Sequence, residues 1–518
     1  MQALGGHRLP LRDPCMEGTR LNILQQIETE IKKTNGHNVI WIRGSPGVGK
    51  SALAASITSR LQYQKRHVTW FRFDRTESTT ITTNALWRVV ARDLARWYPS
   101  IRQQLAQGNT ELSSSNIDHL FKTLIEEPLS ALKDISHEEI PVIVIDALDE
   151  CGGLRHDSSG MGNYEGLLRT LKRWALVDCL RKFKLIITSR PEDQIAQTFP
   201  ESISIHVNIP SGNDVKPGDS ALKDIQAFLM SCLSAMGMDE TWVSEACGYL
   251  VPRAAGMFIW ATTVAKFLKK NPKQRFDIIK EREHERSADR FEELYSLYST
   301  VIRTSFHDLE EKEIQEFTSV IGATIFAKQP LDDTMLMKLP GVDTLKFIRD
   351  SLVSVIDSGP ILRFHHRSFE DFLLSDSFRR YLPKLSGVQN RSLHEHQLAV
   401  LCLRTMASSE LHFNMCNLKS SNVRNMDITA TDKSAISPLV SYSSQFWADH
   451  LVQNQCEESF INTVKFMMHE KLLFWIEAMS ILGKAHEVSA ILKRALEWLG
   501  LAVRPEFISY TTTLRLTH

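Results

Sequence analysis

The chain has 518 residues, 43% of them hydrophobic and 24% charged, and its 61 basic and 61 acidic side chains cancel. That length exceeds one hydrophobic core and suggests roughly three to four domains. The composition is that of an ordinary globular protein, and the charge balance argues against nucleic acid as a partner, since domains that bind it are usually basic. Eight cysteines stand at 15, 151, 179, 232, 247, 402, 416 and 456, with no C-x-x-C spacing and so no zinc or thioredoxin signature. Scattered thiols in a long chain fit a reduced, cytoplasmic protein. The N-terminus has no apolar run suited to a signal peptide. Stretches such as 256–264 fall short of a membrane span.

Residues 1–14 are too short for a domain. Leu21, Leu24, Ile27 and Ile31 recur at helical spacing within 15–33. An apolar strand at 39–43 then runs into a glycine-rich turn and a helix with Leu53, Ala54, Ile57 and Leu61 on one face. The turn reads Gly44, Ser45, Pro46, Gly47, Val48, Gly49, Lys50, Ser51, followed by Ala52, and so matches G-x-x-x-x-G-K-[ST]. Glycines let the backbone curl until its N–H groups face a polyphosphate, and the helix N-terminus adds partial positive charge. Lys50 is suited to the β- and γ-phosphates, and the Ser51 hydroxyl to Mg²⁺.

Further along, the pattern predicts a strand at 67–73, a helix at 84–105, a polar loop at 108–116 and a helix at 117–132. Residues 142–145 are continuously apolar, as in a strand buried on both faces of a parallel sheet. The run ends in Asp146, followed by Asp149 and Glu150, where ligands of open α/β sheets bind. One acid there can hold Mg²⁺ and a second can orient a water. A glycine-rich, mobile connection at 152–162, a helix at 163–180 and a buried strand at 184–191 follow. That strand ends in Thr188, Ser189 and Arg190, polar groups placed to sense a γ-phosphate. A last strand is expected at 203–209. Alternating strands and helices indicate a parallel α/β sheet ending near 210.

Beyond 217 the strand signal fades. Helices are expected at 221–236, 242–250, 256–268 and 294–326, with a solvated, charge-dense stretch at 280–293. Residues 330–378 mix short helices with β signals at 352–356 and 361–364, a pattern that fits a winged helix closed by Phe369, Phe372 and Leu373. On the residues alone, His366 reads as a structural cap. From 393 to 499 the chain is helical, without a period of 20–50 residues that would mark a repeat array. The expected division is a tail at 1–14, an α/β P-loop NTPase core at 15–210, a helical domain at 211–328, a winged helix at 329–380, an all-α C-terminal region at 381–500 and a tail at 501–518.

In this order the motifs resemble the NACHT branch of the STAND signalling NTPases, most closely fungal NACHT proteins with a nephrocystin-3-like nucleotide-binding segment. The residues that carry the resemblance are CMEGTR at 15–20, GSPGVGKS at 44–51, VIDALDECG at 144–152 and LIITSRPE at 185–192. Further matches are AAGMFIWATTVAKFL at 254–268, LYSTVI at 297–302, HRSFEDFL at 366–373 and YSSQFWADHL at 442–451. The resemblance implies a switch closed by ADP and opened by exchange for ATP, with homo-oligomers on activation and an effector partner that the sequence does not name. It assigns Lys50 and Ser51 to phosphate and Mg²⁺, Asp146 to Mg²⁺, Asp149 and Glu150 to the attacking water, Arg190 to sensing, and His366 to the ADP β-phosphate.

Three features depart from the family pattern. The usual G-x-P turn appears as Gly256, Met257, Phe258. No effector domain precedes residue 15, and no WD40 or ankyrin array follows residue 500, the expectation being a short form or an incomplete gene model. The competing readings are an AAA+ or helicase-type motor and a scaffold with a structural nucleotide. A helicase would need a basic face with aromatic platforms, and the sequence concentrates none. The N-K-x-D signature of dedicated GTPases is missing, which favours ATP over GTP.

Overall fold

The computed structural model describes residues 8–33, 36–77, 82–107, 116–132, 140–151, 158–216, 218–281, 292–306, 309–343, 345–357, 359–420, 423, 427–429 and 433–500. The chain divides into two compact units, Met1–Thr300 with His366–Ser368, and Val301–His365 with Phe369–His518.

The first unit is an α/β P-loop core followed by helices. Its five strands are β1 (Val39–Gly44), β2 (Val68–Arg72), β3 (Val142–Asp146), β4 (Lys184–Ser189) and β5 (Ile205–Ile209). They form one sheet in the order β2-β3-β4-β1-β5, and every pairing is parallel. Successive side chains of a strand point to opposite faces, and the apolar residues divide accordingly. Val39, Trp41, Ile143, Ile145, Leu185 and Ile187 join one core with the helices Thr83–Trp97 and Ser158–Leu176. Ile40, Ile42, Val142, Val144, Ile186 and Val207 join the other, beneath the helices Leu21–Lys32 and Lys50–Tyr63. A strand buried on both sides is apolar along its middle, which is why β3 and β4 read as unbroken runs at 142–145 and 185–187.

The helices depart from the sequence pattern where local backbone chemistry intervenes. The helix expected at 84–105 is two, Thr83–Trp97 and Pro99–Gln107. Pro99 pushes Tyr98 out of the helical region, to φ −114° and ψ 108°. The segment expected as one helix at 117–132 contains a π turn at Lys122–Glu126 between helices Ile117–Phe121 and Glu127–Ser130. Asn116 caps its start, its side chain accepting from Asp118 N and His119 N. The helix expected from 163 begins at Ser158, within the stretch expected to be a mobile glycine-rich connection, and ends at Leu176. Residues 152–157 of that connection lie outside the described residues, as do 282–291 of the charge-dense stretch and the tail after 500. Two short helices, Asp193–Thr198 and Pro272–Glu281, lacked enough apolar periodicity to be read.

The second unit is mainly helical. Its long helices are Glu311–Phe326, Arg391–Ala407, Pro438–Leu451 and Val488–Gly500. Glu292–Ser305 and Glu311–Phe326 are separate helices, so the expected continuous 294–326 helix is two. The β signals at 352–356 and 361–364 become isolated antiparallel bridges, Ile356 with Phe364 and Asp332 with Ile361. The YSSQFWADHL stretch is core: Tyr442, Ser443, Ser444, Trp447 and His450 are buried. His450 pairs with Glu395 at 2.6 Å and with Tyr442 Oη at 2.7 Å, so both nitrogens of its buried ring have a partner. Among the described residues, no helix is long and apolar enough to cross a membrane.

Asn38 ties the start of β1 to the end of the Ser158–Leu176 helix. It is 1% exposed, and its Nδ2 donates to Trp174 O at 3.1 Å and to Leu180 O at 3.0 Å. Asn38→Ala removes both bonds, leaving Leu180 O with only the Phe183 N–H at 2.9 Å, and is expected to cost about 2 kcal/mol, measured as a lower urea midpoint for the first unit with its m-value unchanged.

Candidate functional site

Because all five strands are parallel, their carboxyl ends emerge along one edge. Arg43 is level with Ser189 on β4, and Arg72 with Asp146 on β3. The glycine-rich loop leaves β1 at this edge. Gly47 and Gly49 take φ of +76° and +95°, values that an L side chain resists. Gly49 is the residue before the Lys50–Tyr63 helix, and Lys50, Ser51 and Ala52 form its first turn. The Lys50 ammonium folds over the loop and donates to Gly44 O at 2.8 Å and Ser45 O at 2.9 Å. Burial brings its pKa down to about 8, opposed chiefly by Asp149.

The loop is braced from two sides. Arg20, itself at φ 60°, donates from Nη2 to Val48 O at 2.8 Å, and its backbone N–H donates to Asp224 Oδ2 at 3.1 Å. The helix Phe258–Leu268 has no side-chain cap at Met257. One of its unpaired N–H groups, on Ile259, instead donates to Gly47 O at 3.0 Å. Where the family pattern has proline, Phe258 lies 4.9 Å beneath the Arg20 guanidinium. A Cβ on Gly47 would stand 1.9 Å from Ile259 Cγ2.

Asp146 ends β3 fully buried. Thr188, on neighbouring β4, donates to its Oδ1 at 2.5 Å and accepts from Ala147 N at 2.9 Å. Asp146 Oδ2 is buried with no hydrogen-bond partner. Burial raises this acid's pKa, while Thr188 and Ser51 pull it back. An orphaned carboxylate oxygen beside a serine hydroxyl suits a hard cation. No cluster of three or more metal-binding side chains occurs among the described residues.

Asp149 and Glu150 follow on a short 3₁₀ turn, Leu148–Glu150. Asp149 is already engaged: Oδ1 accepts from Arg190 N at 3.1 Å, while Oδ2 lies 3.3 Å from Arg190 Nε and 3.4 Å from Arg367 Nη1. Glu150 is pushed up to about 7 by burial and then by the charges of Asp74 and Asp149, with Arg367 opposing. Of the polar residues ending β4, only Arg190 turns to these acids. Thr188 serves Asp146, and Ser189 accepts from Trp41 Nε1 at 2.7 Å.

His366 belongs to the same unit. Its Nδ1 accepts from Ser368 N at 3.1 Å and meets Ser368 Oγ at 2.7 Å, and Ser368 Oγ meets Tyr298 Oη at 2.8 Å. That chain fixes the proton on Nε2. Burial, followed by the charges of Arg190, Lys50, Arg12 and Arg367, lowers its pKa to about 3, so the ring is neutral. Residues 8–12, read from sequence as part of a tail, are tied to this unit: Arg8 pairs with Asp93, and Arg72 Nη1 donates to Pro10 O at 2.9 Å. The bracing role of Thr188 and the roles of Arg367, Arg20 and Ile259 are not legible in the sequence. Each acts through a fold contact distant in sequence, although Arg367 adjoins a residue already singled out.

Gly47→Ala combines left-handed strain with the Ile259 overlap, an expected loss on the order of 2–4 kcal/mol. Ile259→Ala in the same chain should recover part of it, read by thermal unfolding of the single and double variants.

Residues 18–190 match the family model described as Nephrocystin 3, N-terminal. Over 520 residues the chain is 22% identical to the vegetative incompatibility protein HET-E-1 of Podospora anserina, covering 91% of this chain and 35% of that protein. The chain thus spans about a third of the length of that curated relative. Drosophila ORC bound to DNA aligns with TM-score 0.29 and 13% identity, over 72% of this chain and 89% of that one. AMPPCP-bound DnaA from Aquifex aeolicus aligns with TM-score 0.28 and 12% identity, over 73% and 96%. Scores that low bear on neither fold nor function. The family match takes in the glycine-rich loop, the β3 acids and Arg190, so residues 18–190 are similar to a nephrocystin 3 N-terminal segment, and the two comparisons together support a NACHT-like P-loop NTPase.

Proposed function

We propose that the chain is a signalling switch operated by ATP and ADP with Mg²⁺, in which slow hydrolysis governs homo-oligomerisation. The observation that carries this reading is the gathering of Lys50, Asp146, the Asp149–Arg190 pair and a neutral His366 in one unit, around the carboxyl edge of one sheet. Loop N–H groups and Lys50 hold the phosphates. Ser51 and Asp146 hold the metal, which supplies charge neutralisation at the phosphates. His366, its proton fixed on Nε2, donates to a β-phosphate oxygen. Arg190 meets a γ-phosphate, and Glu150 orients water. The turn Ala255–Phe258 stands in for the family's G-x-P turn.

A nucleotide shifts a two-state equilibrium only by the difference in its binding to the two states. His366 and Arg190 are the groups suited to supply that difference. The bridges at 332–364 support reading 329–380 as a winged helix. The printed name of the Podospora anserina relative supports an output in incompatibility or innate-immunity-like signalling. Eight free thiols support a cytoplasmic setting.

The decisive measurement is the nucleotide carried by the purified protein, released by denaturation and separated. Stoichiometric ADP is expected, and Lys50→Ala should lose it. An empty wild-type protein that turns over added ATP rapidly would instead favour a motor. Hydrolysis should also depend on pH in a set direction. Glu150 has its pKa raised to about 7, so it is protonated below that value and ionised above it. Turnover at saturating ATP is therefore expected to climb about tenfold between about pH 6 and about pH 8 and then level. Glu150→Gln should be slow and flat across that range.

A further inference from the structure

Asp149 is an almost fully buried carboxylate with two arginines on it, its side chain 5% exposed against 19% for Arg190 and 10% for Arg367. The two arginines reach it differently. Arg190 contributes its backbone N–H to Oδ1 and its side-chain Nε to Oδ2. Arg367 approaches Oδ2 with Nη1 and uses the same nitrogen to reach the Asp149 carbonyl at 3.3 Å.

If the Arg190 side chain turned away, Oδ1 would keep the Arg190 backbone N–H and Oδ2 would keep Arg367. Neither oxygen would be stranded. Without Arg367, the same turn would leave Oδ2 unpaired in a buried site, and stripping a buried charge of its partner is strongly unfavourable. Arg367 adjoins His366, so the group that compensates Asp149 arrives on the same three-residue segment as the histidine.

We propose that Arg367 is a positioning residue that releases Arg190: by holding Asp149 it lets the Arg190 side chain leave that carboxylate for a γ-phosphate. The inference rests on the nucleotide-site reading above and goes beyond it, because Asp149 becomes the alternative partner of Arg190 as well as a neighbour of the water. It also sets a sign. Loss of Arg367 should weaken binding of a triphosphate and spare a diphosphate, since only the triphosphate asks Arg190 to move.

The test is calorimetric titration of the full chain, stripped of nucleotide, with ADP and with the non-hydrolysable analogue AMP-PNP in Mg²⁺. In Arg367→Gln the preference for AMP-PNP over ADP should fall about tenfold, the scale of one charge-assisted hydrogen bond, with the ADP affinity unchanged within about twofold. Arg367→Lys keeps a cation at the carboxylate and should stay near the wild-type ratio. Asp149→Asn removes the charge that holds Arg190, so the double variant Asp149→Asn, Arg367→Gln should regain most of the lost preference. A merely structural Arg367 would not be rescued this way. The retained ADP affinity reports that the variants are folded.

An unchanged ratio in Arg367→Gln, or a fall that Asp149→Asn does not reverse, overturns the proposal and leaves the nucleotide-site reading standing. No binding of either nucleotide by the wild-type chain overturns that reading, and this inference with it.

Discussion

A carboxylate removed from water must find partners or take up a proton, and the acids at the carboxyl edge of this sheet meet that demand in three ways. Asp146 has one oxygen satisfied by Thr188 and the other left bare. Asp149 is satisfied by two arginines. Glu150 sits at the balance point, its pKa raised to about 7 by burial and by its acidic neighbours. The first arrangement leaves coordination open for a cation. The second is closed unless an arginine leaves. The third gives a group whose charge is decided near neutral pH. Three acids within five residues thus differ in role because their surroundings differ, although a sequence shows only their spacing.

That edge depends in turn on register. Asp146 is useful because Thr188 lies beside it on β4, and β4 separates the strand of the glycine-rich loop from the strand of the acids. A one-residue slip of β4 would turn Thr188 to the other face and offer Ile187 in its place. The apolar division between the two sheet faces opposes such a slip, since Leu185 and Ile187 belong to one core and Ile186 to the other. The packing of the core therefore fixes the chemistry at the edge, and no separate device is needed to align it.

Much of this was legible in the sequence. The loop at 44–51 announces itself because phosphate-binding turns demand glycine at fixed offsets. Strands β3 and β4 announce themselves because burial on two faces leaves unbroken apolar runs at 142–145 and 185–187. Other features were not legible, for definite reasons. The break at Pro99 lay within an amphipathic pattern that continues across it. The π turn at 122–126 leaves no mark on apolar spacing, and the helix from Ser158 starts in a glycine-containing stretch that reads as a connection. Thr188 and Ser189 looked like ligand-facing groups because a strand end is where ligands bind, yet both are spent on neighbours, Asp146 and Trp41. Arg367 and Ile259 act on residues 218 and 212 positions away, and no local pattern encodes a contact of that range.

The Ile259 contact makes the glycine-rich loop part of a larger mechanical element. A helix with no side-chain cap has N–H groups in want of an acceptor, and here the Gly47 carbonyl supplies one. The peptide that must turn its N–H toward a phosphate therefore has its oxygen fixed by the Phe258–Leu268 helix. Glycine is required at 47 twice over, for its positive φ and because a methyl group would collide with Ile259. Phe258, in the place of the family's proline, keeps the helix start anchored by another route, under Arg20, whose own Nη2 holds Val48 O. Arg20, Phe258, Ile259 and Gly47 thus close a ring of contacts around the loop. A shift of that helix changes the loop's hydrogen bonding directly, and a change of loop conformation is felt at the helix by the same bond.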